Sequence, residues 1–69
     1  MPKGKVKWFN TTKGFGFIAP DEGGNDVFVH ISAVEQSGMT GLADDMAVEY
    51  DLVEGRDGRQ MAGNLRAAD

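Results

Sequence analysis

The chain has 69 residues, a formal charge of −4 and no cysteine. A domain of this length buries only about 60% of the surface its unfolded chain exposes, so it has little stability to spare. The composition excludes disulfides, thiolate nucleophiles and cysteine-ligated zinc, and the single histidine, His30, excludes multi-histidine metal or catalytic arrangements.

No window carries apolar residues at a sustained 3.6-residue period. Instead, short β-rich runs alternate with turn signals, the pattern of an all-β sandwich or barrel. The first run is Lys5–Asn10, closed by the polar stretch Asn10-Thr11-Thr12-Lys13. The second, Gly14–Ala19, stops at Pro20, which has no N–H to give a central ladder. Asp21-Glu22-Gly23-Gly24-Asn25 then supplies turn chemistry, and Asp26–Ile31 forms the third run, close enough to pair with the second as a hairpin. Ser32 and Glu35 have the spacing of a capping box, which predicts one helical turn, and Gly38 and Gly41 argue against a longer helix. The fourth run is Met46–Val53, with Val48, Tyr50 and Leu52 on one face and Glu49 and Asp51 on the other. Gly55-Arg56-Asp57-Gly58 reads as a hairpin loop, and Gln60–Leu65 is the fifth run.

The charge is unevenly spread. Residues 1–20 carry Lys3, Lys5, Lys7 and Lys13 and no carboxylate, whereas residues 21–69 carry eleven carboxylates against three arginines, a balance of −8. The basic third also holds four of the six aromatic residues: Trp8, Phe9, Phe15 and Phe17. Strand alternation places Phe15 and Phe17 opposite to Gly16 and Ile18, and Phe28 and His30 opposite to Val27, Val29 and Ile31. If the aliphatic sets meet in one core, then Phe15, Phe17, Phe28 and His30 share the outer surface. Trp8 and Lys7 on the neighbouring strand, with Lys13 in the loop, border that patch. A contiguous exposed apolar patch marks an interaction site. Rings flanked by lysines suit single-stranded nucleic acid, whose unpaired bases stack while cations follow the phosphates. A duplex, already stacked, is a poor ligand for such a surface.

Other features have plainer readings. Phe9 is balanced between core and platform. Lys3 and Lys5 read as solvated charges, and Asp44, Asp45, Glu49 and Asp51 as a solvated acidic face. Gly14-Phe15-Gly16-Phe17-Ile18-Ala19 matches the dinucleotide fingerprint only by accident, because Pro20 and a turn follow where a helix is required. Asn10-Thr11-Thr12 matches a glycosylation sequon that has no meaning without secretion. No apolar run approaches the ~20 residues of a membrane span, and no secretion signal opens the chain, so a cytoplasmic location is expected.

Lys13-Gly14-Phe15-Gly16-Phe17-Ile18 and Val27-Phe28-Val29-His30-Ile31 resemble the two ribonucleoprotein motifs of RNA-binding domains. Their order is the reverse of that in an RNA-recognition motif. With Gly4-Lys5-Val6-Lys7-Trp8-Phe9-Asn10 in front and Ala62-Gly63-Asn64 near the end, the chain resembles the bacterial cold-shock proteins over its whole length. The resemblance implies one domain over residues 1–69, an all-β, small five-stranded antiparallel OB-type barrel. It implies binding of single-stranded RNA and DNA as an RNA chaperone acting at low temperature, as a monomer with no catalysis, cofactor, metal or membrane partner. Carried over by position, Trp8, Phe15, Phe17, Phe28 and His30 stack bases. Lys7 and Lys13 meet phosphates, Asn10 and Asp26 bond base edges or order the loops, and Arg56 and Arg59 approach the ligand from the last loop. The chain departs from the family's pattern in three places. Ile31 and Met39 stand where aromatics are common, which implies weaker subsites at that end, and Arg59 stands where proline is common. The competing reading is an acidic OB-type module that binds a protein partner through the aromatic patch.

Overall fold

The computed structural model describes residues 2–55 and 58–68. Five strands, β1 (Lys3–Asn10), β2 (Phe15–Pro20), β3 (Val27–His30), β4 (Ala47–Glu54) and β5 (Gln60–Ala67), and one helix, α1 (Ile31–Gln36), form along the chain. The strands close into a barrel in the order β1-β2-β3-β5-β4. Four of the pairings are antiparallel, and the barrel closes through a short parallel contact between β3 and β5, where Phe28 faces Met61. This is the expected five-stranded OB-type barrel. The strands begin and end within one residue of the sequence reading, except that β1 starts two residues earlier, at Lys3, and β5 runs two further, to Ala67.

The interior is aliphatic. Val6, Ile18, Val29, Val34 and Val48 have no exposed surface, and Tyr50, Ala62 and Leu65 are nearly as enclosed. Burying one such side chain contributes about 1.5–3 kcal/mol, so these few residues carry most of the fold's stability. Phe9, Val27 and Met39 pack against this cluster from the side. That settles the even choice for Phe9 in favour of the core. It also gives Met39, which stands where an aromatic is common in the family, a packing role.

Three assignments are corrected, two from strand alternation and one from capping-box spacing. Leu52 was grouped with Val48 and Tyr50, but it is 46% exposed because the barrel interior ends at Tyr50 and β4 continues past it. Ile31 was grouped with Val27 and Val29, but the chain leaves the extended conformation there and Ile31 opens α1, outside the core cluster. The helix is not capped by Ser32. His30 is the N-cap, with extended backbone, and its ring nitrogen accepts the Ser32 N–H, so the helix starts two residues earlier than a capping box requires. At the other end, Gly38 N–H donates to Glu35 carbonyl at 3.0 Å and Met39 N–H to Val34 carbonyl at 3.0 Å. This Schellman arrangement needs a left-handed residue, and Gly38 supplies it at φ 83°. Ser37 ties the helix to the barrel: its hydroxyl donates to Ala33 carbonyl at 2.8 Å and accepts the Leu65 N–H at 2.9 Å.

Two irregularities interrupt the ladders. Between β4 and β5 the register slips after Glu49, where Asn64 adopts φ 50° and donates to Asp51 at 3.0 Å. Between β1 and β2, Val6 faces Ile18 and Trp8 faces Phe17. Two residues of β1 therefore advance against one of β2, and Lys7 is the extra residue of a β-bulge.

Candidate nucleic-acid interface

The bulge at Lys7 sets the composition of the outer face. Gly4 and Val6 point inward, so unbroken alternation would send Trp8 into the core and Phe9 out. The extra residue reverses the parity: Lys7 and Trp8 both face solvent, and Phe9 turns in against the core. Space for this comes from Gly16. A Cβ there would lie 2.7 Å from Phe9 Cα and would also collide with the Trp8 carbonyl oxygen, so only glycine allows β1 and β2 to approach this closely.

Opposite the bulge, the β2–β3 register pairs Phe15 with His30 and Phe17 with Phe28, while Gly16 faces Val29 and Ile18 faces Val27. The aromatic and aliphatic sets thus separate onto the two faces, as alternation predicts. The rings form one continuous surface. Trp8 meets Phe15 edge-on at 5.6 Å between centroids and Phe17 edge-on at 5.4 Å. Phe28 stacks beside Phe15 at 5.8 Å, meets Phe17 edge-on at 5.8 Å, and lies 6.4 Å from the tilted ring of His30. The three phenylalanines are half-buried, and Trp8 remains 38% exposed. Met61, the register partner of Phe28 on β5, also faces outward, because Ala62 beside it is buried. Sequence reasoning missed Met61, since a parallel contact between β3 and β5 leaves no local signal in the chain.

Polar groups brace this surface. Lys7 Nζ lies 2.9 Å from Asp26 Oδ2, which links the bulge to the start of β3. Both side chains are well exposed, and such pairs are worth only about 0–1 kcal/mol, so a phosphate can compete for the ammonium. Asn10 Oδ1 accepts the Lys13 N–H at 2.9 Å, and Gly14 N–H donates to the Asn10 carbonyl at 2.8 Å. Of the two roles left open for Asn10 and Asp26, each makes a bond that orders the protein's own framework. His30 Nδ1 accepts the Ser32 N–H at 3.1 Å and lies 3.0 Å from Ser32 Oγ. The helix cap thereby fixes the plane the ring offers to a ligand. Arg59, exposed just before β5, accepts the Gly55 N–H at its carbonyl at 2.7 Å. Arg56 lies outside the described residues. Lys3, expected to be a solvated charge, lies 3.7 Å from Glu49.

Among the described residues no cluster of three or more His, Asp or Glu side chains is arranged to hold a metal, and no helix is long and apolar enough to cross a membrane. What the geometry offers is a row of ring faces with lysines at its margin, suited to planar, unpaired bases joined by phosphates. A class of protein is thereby defined: a small OB-type barrel with an exposed aromatic strand pair that binds nucleic acid.

Comparison with known proteins gives that class its family. The profile of the "'Cold-shock' DNA-binding domain" matches residues 2–68, and the chain belongs to this family of nucleic-acid-binding, non-catalytic proteins. It is 58% identical over 69 residues, 99% of this chain and 100% of the relative, to Cold shock protein CspA of Rhizobium meliloti (strain 1021). It is 50% identical over 60 residues, 87% of both chains, to Cold shock-like protein CspE of Escherichia coli (strain K12). Glycine-rich protein 2 of Nicotiana sylvestris is 48% identical over 67 residues, 97% of this chain but 31% of that longer protein.

Proposed function

We propose that this protein binds single-stranded RNA and DNA by stacking successive bases on Trp8, Phe15, Phe17, Phe28 and His30, and that it acts as an RNA chaperone at low temperature. The observation that carries this reading is the unbroken contact of the five rings on a solvent-facing surface. Base–aromatic stacking is worth about 1–3 kcal/mol per base, so several rings in a row hold a strand without a large positive charge. That is how a chain of charge −4 accommodates a polyanion. Lys7 and Lys13 take phosphates, with Lys7 exchanging Asp26 for the backbone of the strand. Asp26, once released, is an acceptor for base-edge donors.

The chaperone step follows by mass action. Each captured single strand lowers the free energy of the open form of an RNA, so structure melts with no chemical fuel, and weak contacts let the strand leave again. The same linkage raises the protein's own melting temperature in the presence of oligonucleotide, by an amount set by RT ln(1 + [L]/Kd). Titrating the intrinsic fluorescence of Trp8 with a pyrimidine-rich DNA strand, its RNA counterpart and the corresponding duplex tests the proposal. Quenching by both single strands, with little response to the duplex, is expected. A flat response to every single strand overturns it and redirects attention to a protein partner for the aromatic face.

A further inference from the structure

The open end of the barrel holds a cavity of about 320 Å³, at the lower limit of small-ligand pockets. Pro2, Pro20, Val27 and Leu52 supply apolar wall, Tyr50 contributes its phenol, and Glu22 stands at the β2–β3 loop. Leu52 is the side chain that alternation would have placed in the core, and here it is 46% exposed and is one of the residues that line the cavity. Tyr50 is only 1% exposed, yet its hydroxyl has no hydrogen-bond partner among the described residues and is not sealed from solvent. A buried tyrosine ordinarily finds a partner for its hydroxyl, and Tyr50, which has none among the described residues, is one of the residues that line the cavity.

The electrostatics select among ligands. Burial pushes the Tyr50 phenol above its ordinary value of 10.0, and the charges of Asp21 and Glu22 push it in the same direction, so the hydroxyl stays neutral beside a negative rim. Of the other charged residues that line the cavity, Lys3 lies 3.7 Å from Glu49 and Asp26 2.9 Å from Lys7, exposed pairs that leave the lining with two carboxylates against one lysine. Glu22 has no ion-pair partner among the described residues. A phosphate or carboxylate meets repulsion here, whereas an ammonium gains the Glu22 carboxylate and can also donate to the phenol oxygen.

We propose that this cavity is a second binding site, separate from the aromatic face, for a small ligand with an apolar body and an amine head. The body lies against Val27 and Leu52, and the ammonium sits between Glu22 and the Tyr50 hydroxyl. Asp26 both borders the cavity and holds Lys7, so an amine there lies next to the ion pair at the margin of the aromatic face.

The full chain, labelled for NMR, tests this with three probes of one shape: phenethylamine, 2-phenylethanol and phenylacetate. Saturable shifts of Val27, Tyr50 and Leu52 are expected with the amine, weaker ones with the alcohol and none with the acid. Glu22→Gln, an exposed position that leaves the core intact, is expected to weaken the amine about two- to fivefold. Tyr50→Phe, which removes only the hydroxyl, is expected to weaken it as well. The proposal fails if the amine shifts Trp8, Phe15 and Phe17 instead, if phenylacetate binds as well as phenethylamine, or if Glu22→Gln changes nothing. It fails equally if no shift saturates by about 10 mM, beyond which such a contact is negligible.

Discussion

The two faces of the β2–β3 hairpin divide the work of the molecule. Ile18 and Val29 point inward and have no exposed surface, while Phe15, Phe17 and Phe28, one residue away along the same strands, point outward and stay half-exposed. The inward side chains gain their free energy once, on folding. The outward rings gain only part of theirs from one another and keep the remainder for whatever covers them. Stability and binding are thus separated by the parity of a strand position, not by distance along the chain.

That separation is broken most severely by a core truncation. Val29→Ala is expected to cost about 2–3 kcal/mol of folding stability, read by urea or thermal denaturation, and to leave oligonucleotide affinity nearly unchanged below the unfolding transition. Phe17→Ala is the mirror experiment: a loss of about 1–3 kcal/mol in single-strand affinity, by fluorescence titration, with a smaller loss of stability than Val29→Ala. If Phe17→Ala unfolded the protein while retaining normal affinity, the two faces would have been assigned the wrong way round.

Smaller effects sharpen the boundary between them. Tyr50 sits where the interior meets the open end, and its phenol has a raised pKa in the fold. The stability this contributes is fully present below the unfolded value near 10 and is lost as pH rises through the folded one, because the unfolded chain releases its proton first. Tyr50→Phe is therefore expected to flatten the alkaline fall in melting temperature relative to the parent chain, with lysine titration common to both. Lys7→Ala gives the mildest change. It is expected to lower the slope of log K against log salt by about 0.7, the share of one phosphate contact on a single strand, with little change in melting temperature.

Much of this architecture is readable in the chain because β2 and β3 are short, regular and opposite in character on their two faces. Residues Gly14–Ala19 and Asp26–Ile31 therefore define their own pairing. Trp8 was placed on the right surface by its chemistry and its resemblance to a known family, although alternation from Val6 points it inward. The bulge that turns it outward shows in the sequence only as Gly16 on the partner strand, where a Cβ has no room. Leu52 and Ile31 failed for a related reason: alternation says which side a residue takes but not where the barrel ends or where a strand becomes a helix. His30 carries two duties at once, ring surface and helix cap, and the Ser32/Glu35 spacing drew the cap to the wrong residue. Met61 reaches the outer face through a contact between strands far apart in sequence, which no local pattern encodes.

The bulge also bears on the transplanting of such a surface. In a regular strand, neighbouring residues serve opposite sides, so a cation and a ring intended for the same partner must be spaced two apart. Here Lys7 and Trp8 face one side as consecutive residues, so a cation and a ring are presented together from a single step of backbone. Copying the two residues into another scaffold would not carry that property with them. The portable unit has three parts: the lysine, the tryptophan, and the glycine across the ladder that lets the strand slip by one.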